Sequence, residues 1–343
     1  MTATATLTKK DFTSNQTVRW CPGCGDYGIL TAVQKTMPEI GVSKENIVFI
    51  SGIGCSSRFP YYMETYGFHS IHGRAPAIAS GLKISRPELS VWVITGDGDS
   101  LSIGGNHLIH VLRRNIDINI LLFNNEIYGL TKGQYSPTSA RGTIAKTTPE
   151  GSIDTPFSAL RLAQGAGGTF LARTYDKDMK HMEKIFKESH NHAGTSLVEI
   201  LQNCVIFNDE VFEPIVGKEN RANTMIFVEQ GEKLLFGAEK EKGLHFNEKG
   251  TFDVVSAVDN PNAVSTFDAY DARFLQTFET INAKQTRGQA VENKIPVPFG
   301  VLYREERSVY EKDLEAQVQA VIQKKGKGDI AKLLRAAETW RVD

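Results

Sequence analysis

The sequence predicts an α/β fold: a doubly wound, mostly parallel sheet with helices on both faces, followed by a C-terminal extension. Three observations predict it. Short apolar runs alternate with helix-period segments between residues 26 and 201, the pattern of successive β-α-β units. The runs are continuous rather than alternating, as in strands buried on both faces. Several of them end on Gly, Asp, Asn or Cys, and open parallel sheets bind ligands at that carboxyl edge.

Length and composition agree with this. The chain has 343 residues, 41% hydrophobic and 23% charged, ordinary values for a globular protein with one large domain and additions. A formal net charge of −1 supplies no basic field for nucleic acid. No apolar run reaches the ~18 residues of a membrane span, and Met1–Lys10 is Thr/Ala-rich without a signal-peptide core. A cytoplasmic protein with no membrane or nucleic-acid partner is expected. Its expected parts are an N-terminal arm (1–17), a ligand-binding domain (18–208) and an extension (209–343).

In order, Cys21-Pro22-Gly23-Cys24-Gly25-Asp26 forms a turn before a helix whose buried face holds Ile29, Leu30, Val33 and Met37; Asp26 is expected to cap it. Ile47 to Ile50 reads as a buried strand, and Gly52-Ile53-Gly54-Cys55-Ser56-Ser57-Arg58 follows it. Phe68 to Ala75 reads as a loop carrying His69, His72 and Arg74. It opens a helix of small residues, Pro76 to Lys83, stopped before Pro87.

The next unit organises the rest. Strand Val91–Thr95 breaks into Gly96-Asp97-Gly98-Asp99-Ser100. A crossover helix follows, with Leu108, Val111 and Leu112 apolar, and strand Ile118–Phe123 ends on Asn124-Asn125. The Asp and the Asn pair therefore fall at neighbouring strand ends. Their hard oxygens suit Mg²⁺, which usually shares its shell with phosphate and water, and the glycines permit close backbone approach to a diphosphate. A long Thr/Ser-rich loop, Tyr135 to Asp154, is of the length that is usually functional or mobile. Helix 157–164, strand 169–172, helix 178–189 and strand 196–201 complete the pattern, closing on Gln202-Asn203-Cys204. Beyond residue 209 the sequence is charged and Gly-rich, with an extended segment at Pro296–Tyr303. An amphipathic helix, Asp313 to Trp340, is broken near Gly326-Lys327-Gly328.

Four cysteines, Cys21, Cys24, Cys55 and Cys204, are too few for a disulfide framework. Cys55 and Cys204 fall past strand ends on one predicted edge. A thioredoxin-like pair, a zinc site, a [4Fe-4S] cluster with scattered ligands and four inert buried thiols all remain open on spacing alone.

The motifs taken together are Cys-Pro-Gly-Cys-Gly at 21–25, Gly-Ile-Gly-Cys-Ser-Ser at 52–57 and His-Gly-Arg-Ala at 72–75. To these add Gly-Asp-Gly-Asp at 96–99, Asn-Asn-Glu-Ile-Tyr-Gly-Leu-Thr-Lys-Gly-Gln at 124–134 and Pro-Phe-Gly-Val-Leu-Tyr-Arg at 298–304. The set resembles the β subunits of 2-oxoacid:ferredoxin oxidoreductases, nearest the 2-oxoglutarate (2-oxoglutarate synthase) type. The resemblance implies a thiamine diphosphate (ThDP)-binding fold and a coenzyme A-dependent, reversible oxidative decarboxylation with ferredoxin as electron acceptor. It implies that Asp97, Asn125 and the carbonyl of Ile127 hold Mg²⁺, and that Cys21, Cys24, Cys55 and Cys204 hold one [4Fe-4S] cluster. Ile53, Gly54, Gly73, Gly96, Gly98, Asp99, Gly129, Leu130 and Thr131 are expected to line the cofactor, with Trp20 helping to cover it. Arg58 is expected to bind a substrate carboxylate and His72 to bond cofactor or substrate; His69 is a weaker candidate. An α subunit is expected to supply the aminopyrimidine half of the site with its activating Glu, in an (αβ)₂ assembly. The alternatives are a pyruvate- or indolepyruvate-type subunit, a ThDP decarboxylase or synthase subunit with structural cysteines, and a zinc-stabilised binding module.

Overall fold

The computed structural model describes residues 7–284, 295–336, 340 and 342. Residues 1–6 of the expected arm and 337–339 of the expected last helix lie outside the described residues. Six parallel strands form the body of the sheet: Ile47–Ser51 (β1), Tyr66–His69 (β2), Ser90–Gly96 (β3), Asn119–Asn124 (β4), Phe170–Tyr175 (β5) and Ser196–Leu201 (β6). Met225–Val228 (β7) and Val297–Arg304 (β8) extend it. The order is β2-β1-β3-β4-β6-β5-β8-β7. β8 runs antiparallel to β5 and parallel to β7. The segment after residue 209 is thus not wholly peripheral, because two of its strands complete the central sheet.

Alternate residues along each strand feed two cores, as the pleat requires. On one face Ile47, Phe49, Trp92, Ile94, Leu121 and Phe123 pack under helices Asp26–Thr36 (α1) and Met179–Asn191 (α6). On the other, Val48, Ile50, Val91, Val93, Ile120 and Leu122 pack under Ala75–Ser85 (α2), Gly105–Arg114 (α4) and Ala159–Gly165 (α5). Burying each such Val, Leu or Ile side chain contributes about 1.5–3 kcal/mol. A one-turn helix, Asp97–Leu101 (α3), follows β3 directly. An antiparallel three-stranded sheet (235–236, 242–246, 252–256) and helix Ala272–Lys284 (α7) add Phe252, Phe274 and Phe278 to the second core. Helices Tyr310–Lys325 (α8) and Ile330–Leu334 (α9), separated at the expected Gly326–Gly328 break, are largely exposed. No helix among the described residues is long and apolar enough to cross a membrane.

Two sequence expectations are corrected. Asp26 does not cap α1: Gly25 takes the cap position without a side-chain bond, and Asp26 is buried in the first turn. Phe68 and His69, expected to open a loop, instead end the edge strand β2. Its Tyr66, Gly67 and Phe68 are exposed, so no burial pattern marks it in sequence. Asp178 and Ser158, in contrast, cap α6 and α5 by accepting from the backbone N–H groups of His181 and Arg161.

β1 connects outward to β2 on one side, and β3 to β4 on the other. The crevice therefore opens between the carboxyl ends of β1 and β3, the place where such sheets take ligands.

Candidate active site

The β3 end delivers Asp97 into this crevice, 2% exposed. Its Oδ2 accepts hydrogen bonds from Ser136 and Thr138 hydroxyls, each at 2.5 Å. Burial pushes its carboxyl up from the ordinary range against the pull of those hydroxyls. Both hydroxyls come from the long loop after β4, whose role the sequence signalled by length without marking which residues act. Thr138 also lies 3.0 Å from Asn124 Oδ1. The Asn124 amide donates to Glu199 (2.8 Å), which is paired with Arg173, itself paired with Glu279 of α7 (2.8 Å each). A buried polar chain therefore runs from Asp97 back through β4, β6 and β5.

Asn125 sits one residue beyond β4, before a turn where Glu126 adopts φ +57°. Its Oδ1 accepts from the Ile127 N–H at 3.1 Å, and its Nδ2 donates to Gln202 Oε1 at 2.8 Å. A carboxylate, a side-chain carbonyl and the nearby Ile127 backbone form an oxygen donor set of the hard kind that Mg²⁺ prefers.

Asp99 works as a brace. Its Oδ1 accepts from the backbone N–H groups of Ile53 (3.1 Å) and Gly73 (2.7 Å), and its Oδ2 from the Thr95 hydroxyl (2.8 Å). The loops after β1 and β2 are thereby tied to the end of β3. A Cβ on Gly52 would sit 1.8 Å from Asp99 Oδ2, and one on Gly98 would lie 2.2 Å from the Tyr128 ring. These two glycines are required for packing inside the site as well as for any approach to a ligand. Gly54 (φ +136°) and Gly73 (φ +66°) occupy backbone conformations that favour glycine. Gly96 meets nothing closer than 3.7 Å. Leu130 is exposed, and the Thr131 hydroxyl is engaged by the Gln134 side chain.

The same edge gathers the cysteines. The Cys21–Cys24 turn closes through Cys24 N–H to Cys21 O (3.1 Å) and joins the β6 end through Gly25 N–H to Asn203 O (3.1 Å). Trp20 Nε1 donates to Cys55 O at 2.7 Å, which places this buried ring over the Cys55 loop. A Cβ on Gly129 would be 3.5 Å from Cys204 Sγ and 3.6 Å from Cys55 Sγ. Burial, then the Asp26 charge, raises the Cys24 thiol; Cys204 and Cys55 push in the same direction. Burial and then Asp26 push the Cys55 thiol up to about 12, with Cys204 and Cys21 adding to it. All four cysteines are free thiols. Among the described residues no three His, Cys, Asp or Glu are placed to hold a single metal ion. The Cys21–Cys24 turn and the Cys55 and Cys204 loops thus meet at one edge, and four Cys thiolates are the ligand set an iron–sulfur group takes.

The two basic candidates differ. Arg58 is half-buried; its Nε donates to the Tyr62 hydroxyl at 2.9 Å and its guanidinium lies 5.9 Å from the Tyr61 ring centre. No carboxylate is paired with it among the described residues. His72 is exposed, and its backbone carbonyl accepts from Arg74. His69 faces Tyr61, with Nδ1 3.3 Å from the phenol oxygen.

A mostly parallel α/β sheet with Asp97 and Asn125 at its carboxyl edge is the architecture of a thiamine diphosphate-binding domain. Residues 52–200 match the thiamine pyrophosphate enzyme C-terminal TPP-binding domain. The chain is 49% identical to 2-oxoglutarate oxidoreductase subunit KorB of Mycobacterium tuberculosis, over 97% of this chain and 88% of that one. It is 45% identical to the β subunit of 2-oxoacid:ferredoxin oxidoreductase 1 of Aeropyrum pernix, over 55% of this chain and 60% of that one. A solved 2-oxoglutarate:ferredoxin oxidoreductase from Magnetococcus marinus, with 2-oxoglutarate, coenzyme A and succinyl-CoA bound, superposes with a TM-score of 0.74. The match is 30% identical and covers 98% of this chain and 97% of that one. The chain belongs to the β subunits of 2-oxoacid:ferredoxin oxidoreductases.

Proposed function

We propose that this chain is the diphosphate-binding and electron-exit half of a cytoplasmic 2-oxoglutarate:ferredoxin oxidoreductase, holding ThDP through Mg²⁺ and carrying one [4Fe-4S] cluster. The observation that carries this reading is the shared edge: the Asp97/Asn125 oxygens and the Cys55/Cys204 sulfurs are bridged by the short run from Asn125 to Gly129. ThDP, when bound, supplies the electron sink that decarboxylation of a 2-oxoacid needs.

The chain's own residues do the rest. Asp97, Asn125 and the Ile127 carbonyl hold the metal. Asp99 keeps the loops of Ile53 and Gly73 against the cofactor's path. Cys21, Cys24, Cys55 and Cys204 hold the electron acceptor beside it, under Trp20. Arg58, without a carboxylate partner among the described residues, offers its guanidinium to a substrate carboxylate. An α subunit supplies the aminopyrimidine side with its Glu, in an (αβ)₂ assembly that takes coenzyme A and external ferredoxin. The similarity to KorB and to the solved complex supports 2-oxoglutarate over other 2-oxoacids.

The test is anaerobic co-purification with the α subunit, metal and thiamine analysis, and a 2-oxoacid panel with coenzyme A and a low-potential dye. Four irons per chain, stoichiometric thiamine and preference for 2-oxoglutarate are expected. A colourless, iron-free complex overturns the cluster, and preference for pyruvate moves the chain to the pyruvate type.

A further inference from the structure

Gln202 is the first residue beyond β6 and is 1% exposed. Its Oε1 accepts from Asn125 Nδ2 at 2.8 Å, and its Nε2 donates to Asn203 O at 2.6 Å and to Cys24 Sγ at 3.3 Å. Both N–H donors and the oxygen of this amide are engaged. The orientation is also fixed by chemistry: flipping the amide would set Oε1 against the Asn203 carbonyl oxygen and Nε2 against Asn125 Nδ2. Its place depends on Gly25, whose missing Cβ would lie 3.0 Å from Gln202 Cγ.

We infer that Gln202 is a positioning residue that joins the metal–diphosphate site to the thiolate site. One end of its amide holds the Asn125 amide so that Oδ1 faces away, toward the Ile127 N–H and the metal position. The other end gives an N–H hydrogen bond to the sulfur of Cys24. Such bonds stabilise the more negative, reduced form of an iron–sulfur centre and so raise its potential. Outer-shell partners likewise orient metal ligands. A single buried side chain therefore sets both how firmly Mg²⁺–diphosphate is held and how readily the neighbouring cluster accepts an electron. Its sequence signal was only a polar residue closing an apolar strand before Cys204.

The inference rests on the cluster reading above, and the experiment separates the two. Wild type, Gln202→Leu and Gln202→Glu are purified anaerobically as complexes with the α subunit. Iron content, the cluster potential by EPR-monitored titration, and Mg²⁺–ThDP affinity of the cofactor-stripped complex by calorimetry are measured for each. Gln202→Leu loses both contacts: a more negative potential and about 10–100-fold weaker Mg²⁺–ThDP binding are expected, the usual cost of losing an outer-shell partner. Gln202→Glu keeps an oxygen for Asn125 but has no amide N–H for sulfur. It should shift the potential to more negative values while holding Mg²⁺–ThDP more tightly than the Leu variant. This variant is nearly isosteric and carries the test if the Leu variant does not fold. Wild-type potential with full iron content in both variants overturns the inference alone. A wild-type complex without four irons overturns the cluster reading and the inference together.

Discussion

The two centres on this sheet edge are built differently. At the oxygen centre the fold has already oriented the ligands: Asp97 is held by two hydroxyls, Asn125 by Gln202 and the Ile127 N–H, and the support continues to the Arg173–Glu199–Glu279 triad. At the sulfur centre the protein assembles four thiols but raises Cys24 and Cys55 away from the thiolate form that iron requires. Burial acts on both centres. At the first, hydrogen bonds from Ser136 and Thr138 oppose it without overcoming it; at the second, neighbouring negative groups add to it. The fold thus holds the oxygen donors directly, whereas it holds the thiols mainly through loop anchors such as Trp20 to Cys55 O and Gly25 to Asn203 O.

Mutations can break this contrast. The largest effect is expected from Cys21→Ser. The residue is exposed, so iron content should fall to background while Mg²⁺–ThDP affinity stays near wild type; parallel loss of both in calorimetry would show one fused site. Next is Arg173→Ala, which leaves two buried carboxylates without their cation. Breaking a buried ion pair costs about 3–5 kcal/mol, and urea unfolding of the iron-free chain should show it; a loss near zero would mean the triad contributes no support. Thr138→Val removes one hydroxyl from Asp97 and should weaken Mg²⁺–ThDP binding about tenfold without changing the iron content. If binding is unaltered, Ser136 alone suffices to orient the carboxylate.

The smallest effect concerns pH. Burial pushes His181 and His192 down to about 4. The unfolded chain binds those protons near pH 6.5, so they remove stability as pH falls from 6.5 toward 4. Asp26 runs the other way: burial, then Asp176, pushes it up to about 7. Its contribution is full below about pH 4 and is lost as pH rises through 7. The two trends oppose each other. Asp26→Asn in the iron-free chain should therefore steepen the loss of stability between pH 7 and pH 5 in urea titrations. An unchanged slope would place the Asp26 proton equally in both states.

Much of this was legible in the sequence. Strands β1, β3, β4 and β6 show as apolar runs because both their faces are buried, and Asp97, Asn125, Cys55 and Cys204 show because they end those runs. What stayed hidden depends on register or on long loops. Arg173 and Glu199 are cross-strand partners, invisible until β5 and β6 are aligned. Ser136 and Thr138 return to Asp97 from 39 and 41 residues away. The edge strand β2 exposes its Tyr66 and Phe68, and β8 reads only as an extended segment because its sheet neighbours lie far away in sequence. Asp26 looked like a cap because caps and buried acids share the same place before a helix.

The late strand β8 carries a consequence for biosynthesis. It pairs with β5 opposite Arg173, and Glu279 of α7 completes the charge pairing of that arginine. Cys204, the last ligand candidate, is translated 100 residues before Arg304. At about 5–20 residues per second a ribosome takes about 5–20 s to cover that distance. Throughout that interval the nascent sheet has an open edge at β5, and for most of it the apolar face later covered by Phe274 and Phe278 is bare. A chain that already carries every thiol has therefore not yet closed its sheet.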